Sequence, residues 1–217
     1  MNKLNIIGSL TLAALLGINP INAAETKKLN TGSLPTQIMP ARDAQGGILS
    51  TYILSKSTRI HSVYEDDELL NFIKINEPPI QELANQFKQK YKTNEATAQG
   101  ILDFIHTNIK YDYSELKSEN NVRYPIETLF EKKGDCEDTA ILGATLMKAA
   151  GLDVVLLLLK FPGRAHVAIG VKGDFSGIYY SHNGKKYFYA ETTCAAPVGT
   201  IPENFGSEPM AFIYDVK

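Results

Sequence analysis

The sequence contains no tryptophan, few cysteines and histidines, and almost no net charge. Its 217 residues include two cysteines and four histidines, and the formal net charge is −2. Two cysteines cannot build a disulfide-rich scaffold, and a nearly neutral chain lacks the basic surface with which proteins bind nucleic acid or anionic membranes. With 44% hydrophobic and 21% charged residues, the composition is typical of a globular protein and excludes a disordered chain.

Apolar runs of membrane-spanning length are also missing. The apolar stretch at 6–18 follows the basic residue Lys3 and is too short for a permanent anchor, which needs about 20 residues. The small residues Ala23 and Ala24 come next, so the N terminus has the pattern of a secretory signal peptide. We predict that residues 1–23 are a signal peptide, that the chain is exported to the periplasm or secreted, and that no stable membrane anchor remains after cleavage. An uncleaved anchor is the alternative.

The remaining chain changes character near residue 60. Residues 24–60 are rich in Thr, Ser, Pro, Gly and Asn, which predicts an extended arm with one short strand near 48–54. In residues 61–217 helical spacing comes first: Pro78 opens one helix, Asn94 is suited to cap a second, and Pro125 is suited to begin a short third.

Strand-forming segments follow the helices. Residues 154–159 and 166–171 are apolar β-type runs, and Asn183-Gly184 between two tyrosine-rich runs is a strong hairpin signal. Helices followed by an antiparallel sheet predict an α+β domain over residues 61–217. The segment 140–150 is so apolar that we expect a central buried helix, ended by Gly151.

The start of this central helix carries the first candidate for chemistry. Cys136 falls in its first turn, with Asp135 as the expected N-cap, and a helix N terminus favours the nucleophilic thiolate. The carboxylates of Asp135, Glu137 and Asp138 oppose ionisation of the Cys136 thiol. A cationic partner is therefore needed to stabilise the thiolate. A small buried cysteine with no catalytic role is the alternative.

A histidine is the expected partner, and the chain offers four. His61 lies in the N-terminal arm and His182 in the hairpin turn, where a solvated side chain is the default, and His106 lies in a helix. His166 begins an apolar strand that can hold its imidazole within reach of the thiol. Glu191, at the end of the next long strand, can accept the other ring N–H and fix the tautomer. Separately, His166 and Glu191 each have a purely structural alternative.

Four segments together resemble the transglutaminase-like superfamily of papain-like cysteine enzymes. They are Pro125-Ile126-Glu127-Thr128-Leu129, Gly134-Asp135-Cys136-Glu137-Asp138, Ala165-His166-Val167-Ala168-Ile169-Gly170-Val171 and Tyr189-Ala190-Glu191-Thr192-Thr193. The resemblance covers about residues 80–203. It implies a papain-like or transglutaminase-like core in which the helix carrying Cys136 packs on an antiparallel sheet.

The resemblance also implies roles for residues. Cys136 is then the nucleophile, His166 the general base and acid, and Glu191 the third member, where the family usually has Asp. The exported bacterial protease branch has acids at the positions of Asp135, Glu137 and Asp138 that bind calcium. We expect no required cofactor, with calcium as an option; a helix cap with favourable charges is the alternative. Cross-linking transglutaminases often use a tryptophan near the site, and this chain has none.

The predicted function is an exported cysteine hydrolase that cleaves peptide or isopeptide amides of a protein or peptide substrate through an acyl-enzyme. If an amine replaces water, the same site is a transferase. The backbone N–H of Cys136 is one oxyanion donor and Tyr111 a candidate for the second. A disulfide between Cys136 and Cys194 would silence the nucleophile. A non-catalytic binding module with the same fold is the competing hypothesis.

Overall fold

The computed structural model describes residues 65–113, 121–202 and 209–217 in full, and the backbone of two strands before them. These strands, β1 (Thr36–Arg42) and β2 (Ile48–Ser55), pair antiparallel. The strand expected near 48–54 is therefore confirmed, while β1 was not anticipated. The predicted signal peptide at 1–23 and His61 lie outside the described residues. Among the described residues, no helix has the length and apolarity needed to cross a membrane.

The helices begin and end where local side chains allow it. A short 3₁₀ helix (Asp66–Phe72) precedes α1 (Pro78–Lys90) and α2 (Asn94–Asn108). Pro78 is the first residue of α1, as predicted. The cap of α2 is one residue earlier than expected, because the hydroxyl of Thr93, and not Asn94, accepts the N–H of Ala96 at 3.1 Å. α3 (Pro125–Glu131) begins at the predicted proline.

The central helix, α4 (Cys136–Ala149), is longer at its start than the apolar pattern alone indicates. Asp135 is its N-cap, and Asp135 Oδ1 accepts the N–H of Asp138 at 3.1 Å. Gly151 ends it with φ +88°, where the N–H groups of Gly151 and Leu152 bond carbonyls of the last turn. A left-handed glycine after the last turn is a common helix end, so both predicted boundary residues have the expected roles.

Two short strands align the chain before this helix. β3 (Lys110–Tyr111) and β4 (Lys133–Gly134) form a parallel pair. Gly134 has no space for a side chain, since a Cβ there would lie 2.6 Å from the Cβ of Asp138. The Gly-Asp-Cys sequence thus turns tightly from β4 into α4, and it places Cys136 next to Tyr111 at the end of β3.

The C-terminal half is a five-stranded antiparallel sheet with the order β7-β8-β6-β5-β9. Its strands are β5 (Val154–Phe161), β6 (Arg164–Val171), β7 (Tyr179–His182), β8 (Lys185–Ala190) and β9 (Met210–Asp215). Positive φ values at Asn183 and Gly184 form the predicted two-residue hairpin between β7 and β8. The strand β9, which pairs with β5, was not anticipated.

α4 packs against one face of this sheet and defines the main core. Val154, Leu156 and Leu158 of β5 belong to the same buried cluster as α4, whereas Val155 and Leu157 belong to a second buried cluster on the opposite face. Burial on both faces explains why β5 is apolar at every position of its first six residues. The α+β architecture with the Cys136 helix on an antiparallel sheet is confirmed.

Candidate active site

Cys136 is the first residue of α4 and is nearly buried, with 9% of its surface exposed. Its thiol donates a hydrogen bond to Glu137 Oε2, with 2.8 Å between the sulfur and oxygen atoms. The backbone N–H of Val167 in β6 also interacts with the sulfur. Val167 directly follows His166 in the chain, so the strand that carries the histidine candidate contacts the nucleophile candidate, which lies 30 positions earlier in the sequence.

The pKa of the Cys136 thiol is raised well above its usual value. Burial contributes most, followed by the charge of Glu137 and the hydrogen bond to it, whereas the N–H of Val167 acts in the opposite direction. The sequence indicated two opposing effects on the ionisation of this thiol: the helix N terminus favours the thiolate, and the neighbouring acids disfavour it. In the structure burial and Glu137 prevail, so the resting group is a protonated thiol.

His166 lies in β6, opposite Leu159 of β5, and is 8% exposed. Its Nε2 is 3.2 Å from Glu191 Oε2. Ile169 of β6 pairs with Ala190 at the end of β8, so Glu191 lies level with Ala168 and is a diagonal neighbour of His166 on the same sheet face. Glu191 therefore occupies the place predicted for the residue that orients the imidazole.

Glu191 is completely buried, and both of its carboxylate oxygens are hydrogen-bonded. Oε1 accepts the N–H groups of Thr192 and Thr193 and the Thr193 hydroxyl, at 2.9, 2.8 and 2.8 Å. Oε2 accepts the Tyr189 hydroxyl at 2.5 Å and faces His166. Burial raises the pKa of Glu191, but the contacts with His166, Tyr189 and Thr193 outweigh it and lower the pKa to about 2. Glu191 is thus ionised at neutral pH.

The other histidines have different partners. His106 of α2 places Nε2 3.2 Å from the backbone carbonyl oxygen of Glu191, and burial lowers its pKa, so its ring is neutral at pH 7. His106 thus anchors the main chain of Glu191, a contact that the sequence analysis missed. His182 was expected to be solvated, but its Nε2 is 3.1 Å from Asp215 Oδ1, and its side chain is only 23% exposed.

Tyr111 lies beside the nucleophile candidate. Burial raises the pKa of its hydroxyl, and the nearby Cys136, Asp135 and Glu137 raise it further. The hydroxyl therefore remains protonated and keeps a proton that it can donate. Its ring contacts Tyr113, with centroids 4.8 Å apart in an edge-on arrangement. The position of Tyr111 agrees with the second oxyanion donor suggested by the sequence, a role that stays a prediction.

Each acid around Cys136 has a defined contact in the structure. Asp138 is buried, and its two oxygens accept the backbone N–H and a guanidinium N–H of Arg123 at 2.7 and 2.6 Å. Asp135 caps α4, and Glu137 accepts the thiol. Calcium prefers about 6–8 oxygen ligands, and in the part of the chain that the structure describes no group of three or more His, Cys, Asp or Glu side chains could hold a metal ion. All three acids instead have partners within the chain.

Cys194 does not pair with Cys136. Both cysteines are free, and Cys194 is exposed, three residues after Glu191. Partial burial of its sulfur and the nearby Glu191 carboxylate raise its pKa. The disulfide considered from the sequence is absent in this arrangement of the described residues, so the thiol of Cys136 is available for chemistry.

The first prediction concerns the contact between Glu137 and the thiol. Glu137→Gln should speed the alkylation of Cys136 by iodoacetamide at pH 7 roughly tenfold or more, because a neighbouring charge moves a pKa by about 1–3 units. Peptide mapping after timed alkylation measures the rate. Glu82→Gln is the control, since Glu82 is exposed on α1, where its carboxylate accepts a hydrogen bond from Gln86. Equal rates for both variants and the unchanged protein would contradict the prediction.

The second prediction concerns Glu191 and acid. Its pKa is 4.5 in an unstructured chain and about 2 in the folded protein. A lowered pKa stabilises the fold at pH values above the unfolded pKa, and this stabilisation is lost as the pH falls through the folded value. Glu191→Gln should therefore lower the free energy of unfolding at pH 7, and the difference from the unchanged protein should shrink between pH 4.5 and 2. Urea titrations across this range measure it; a constant difference would refute the assignment.

Part of the chain matches a known protein family. Residues 79–181 match the family model of a transglutaminase-like domain. The matched range includes Cys136 and His166 and ends ten residues before Glu191. None of the curated proteins compared with the chain matched it.

Solved structures show looser similarity. A candidate cysteine protease from Cytophaga hutchinsonii is 15% identical with a TM-score of 0.42, over 84% of this chain and 72% of that one. LapG from Legionella pneumophila is 12% identical with a TM-score of 0.44, over 71% of this chain and 90% of that one.

Proposed function

We propose that the chain, whose residues 79–181 match a transglutaminase-like domain, is a cysteine hydrolase acting on peptide or isopeptide amides. The observation that carries the proposal is a pair of contacts that link Cys136 to β6 and His166 of β6 to Glu191. The sulfur of Cys136 interacts with the N–H next to His166, and the ring of His166 is bonded to the ionised Glu191. A nucleophile, a base and a group that orients the base are the parts that covalent amide hydrolysis needs.

The reaction begins with transfer of the thiol proton. Nε2 of His166 is bonded to Glu191, so Nδ1 is the ring nitrogen that accepts the proton of Cys136. The Glu191 carboxylate stabilises the imidazolium that forms, as in other triads. The resting thiol is hydrogen-bonded to Glu137, so this hydrogen bond must break before His166 takes the proton. We propose that it breaks when the substrate enters the site.

The thiolate then attacks the carbonyl carbon of the substrate amide. The backbone N–H of Cys136 lies at a helix N terminus and stabilises the developing oxyanion, and the Tyr111 hydroxyl is the candidate for the second donor. The imidazolium of His166 protonates the leaving nitrogen as the C–N bond breaks, which leaves a thioester on Cys136. Water, deprotonated by His166, hydrolyses the thioester and releases the acid and the free thiol. An amine in place of water makes the reaction a transfer.

The place of action is part of the proposal. A signal peptide at 1–23 would deliver the enzyme to the periplasm or outside the cell, where proteins and peptides are the substrates. Sequencing the N terminus of the protein recovered from each cell fraction tests this. Protein with an intact N terminus, found only inside the cytoplasm, would contradict export without affecting the chemistry.

A peptide that carries a thiol-reactive acyloxymethyl ketone tests the hydrolase. We expect the folded protein to be labelled at Cys136, with Cys194 unlabelled, because Cys136 is the proposed nucleophile, whereas partial burial and the nearby Glu191 carboxylate raise the pKa of the Cys194 thiol. Cys194→Ser is the matched control and should be labelled at the same rate. Iodoacetamide in urea should modify both cysteines, which shows that each thiol is intact.

The competing function is a non-catalytic binding module. It is favoured by one observation, the protonated thiol held by Glu137. If the peptide probe leaves folded protein unlabelled while iodoacetamide in urea modifies both cysteines, the hydrolase proposal is wrong and the binding module is the better account.

A further inference from the structure

We propose that Tyr189 is a positioning residue for this reaction: its hydroxyl holds the Glu191 oxygen that orients the imidazole of His166. The inference rests on the proposed function and adds to it a residue outside the predicted triad. Tyr189 touches neither the sulfur nor a substrate in this scheme. It acts through Glu191.

The hydroxyl of Tyr189 is not explained by packing. Tyr189 is fully buried in the second apolar cluster, on the sheet face that also holds Leu157 and Ala168. A phenylalanine would fill the same space. A buried hydroxyl must find a hydrogen-bond partner because its desolvation is costly, and this one donates to Glu191 Oε2 at 2.5 Å. The acceptor is an ionised carboxylate, and hydrogen bonds to charged groups are stronger than those between neutral groups.

The two oxygens of Glu191 are held by different parts of the chain. Oε1 is bonded by Thr192 and Thr193, which belong to the turn directly after Glu191. Oε2 is bonded by Tyr189 and His166, which come from the sheet. The terminal torsion of a Glu side chain is broad, so the turn alone does not fix where Oε2 points. The Tyr189 hydroxyl adds a second contact to Oε2 and so helps to fix its position.

The position of Glu191 Oε2 determines the orientation of the His166 imidazole. His166 is joined to Glu191 through Nε2, so a shift of Oε2 rotates the ring and moves Nδ1 away from the thiol. Small displacements of a catalytic group reduce the rate strongly because the reacting atoms leave their productive arrangement. Loss of the Tyr189 hydroxyl removes neither the charge of Glu191 nor the imidazole. It removes their fixed geometry.

The chain offers a matched control. Tyr187 lies two residues earlier on the same face of β8, is also buried, and also donates its hydroxyl to a carboxylate, but that carboxylate is Asp153, with 3.1 Å between the oxygens. Tyr189→Phe and Tyr187→Phe thus remove the same atom from equivalent positions. Only one of the two hydroxyls is connected to His166.

The experiment measures inactivation of the full chain by the peptidyl acyloxymethyl ketone as a function of probe concentration. Tyr189→Phe should lower the maximal inactivation rate about 10- to 100-fold, the usual effect of losing a residue that orients a site residue. Half-saturating probe concentration should change less than about twofold, since binding is intact. Tyr187→Phe should match the unchanged protein. Equal maximal rates for the two Phe variants would overturn the proposal.

A double-variant cycle separates positioning from general loosening of the fold. If Tyr189 acts through Glu191, adding Tyr189→Phe to Glu191→Gln should slow the reaction no further. Multiplying effects would mean an independent structural role and would refute the proposal. A measurement that needs no Tyr189 variant is the low-field proton resonance of the short hydroxyl–carboxylate bond, which should disappear in Glu191→Gln; its persistence there would also refute it.

Failure of this inference differs from failure of the proposed function. When the unchanged protein is labelled at Cys136 and Tyr189→Phe is labelled equally fast, only the role of Tyr189 is wrong. When the unchanged protein is not labelled at Cys136, the hydrolase itself is wrong, and the resonance test still reports whether Tyr189 holds Glu191.

Discussion

Replacing His166 with alanine should slow the labelling of Cys136 by the peptide probe, and any amide cleavage, about 10²- to 10⁴-fold, the range attributed to general acid–base catalysis. Burial and Glu137 keep the Cys136 thiol protonated, so without the imidazole no positioned group removes the proton. The leaving nitrogen also loses its proton donor. Probe labelling followed by peptide mapping measures the first effect, and release of amine from a peptide substrate measures the second.

His182→Ala is the matched control for this prediction. Its Nε2 faces Asp215 at 3.1 Å, much as that of His166 faces Glu191 at 3.2 Å, yet it lies on the outer strand β7. The control removes a histidine–carboxylate pair without touching the nucleophile. A similar loss of rate in both variants would show that the effect is one of stability. An unchanged rate in His166→Ala would show that another base serves Cys136.

The location of Cys136 was predictable because several local signals agree. A capping acid at Asp135, an apolar run behind it and Gly151 at the end define one helix, and the structure follows all three. His166 and Glu191 were predictable for a related reason. His166 lies near the start of β6 and Glu191 directly follows β8, and the antiparallel pairing of these strands brings the two residues together.

The partners of these residues were less predictable, because they depend on distances across the fold. His106 was assigned no role, since nothing in the helical pattern shows that α2 passes beside the Glu191 carbonyl. Tyr189 did carry a signal, since residues two apart on a strand share a face. β9 was missed because its pairing with β5 joins segments about fifty residues apart, and its own alternation is weak.

The acids next to Cys136 show why residue type alone does not define a role. Asp135, Glu137 and Asp138 are all acidic, and the sequence left both a calcium site and a helix cap open for them. In the fold they have three separate tasks: a helix cap, a thiol acceptor and a partner for Arg123. The role of each acid depends on the direction of its side chain. That direction follows from the position of the residue relative to the start of α4 at Cys136.

The second large effect concerns stability. Asp138→Asn should destabilise the fold by about 3–5 kcal/mol, the usual result of removing one member of a buried ion pair. Asp138 is completely buried and its carboxylate pairs with Arg123, whose side chain is only 19% exposed. Asparagine keeps the shape and can still accept the Arg123 backbone N–H, so the loss isolates the charge. The free energy of unfolding, measured with urea at pH 7, checks it.

Two further variants show whether the pair itself is responsible. Asp66→Asn breaks an ion pair with Lys160 in which both side chains are 47% exposed, and such surface pairs contribute less than about 1 kcal/mol. Arg123→Met combined with Asp138→Leu removes both charges and should be more stable than Asp138→Asn, because neither member of the pair is left without the other. Asp112, which lies 3.6 Å from Arg123, keeps its contact with Lys133 at 2.7 Å in that variant. A loss for Asp138→Asn no larger than that for Asp66→Asn would mean that Asp112 or water compensates the Arg123 guanidinium. The first turn of α4, and with it Cys136, would then be held by packing and by the Asp135 cap instead of by this pair.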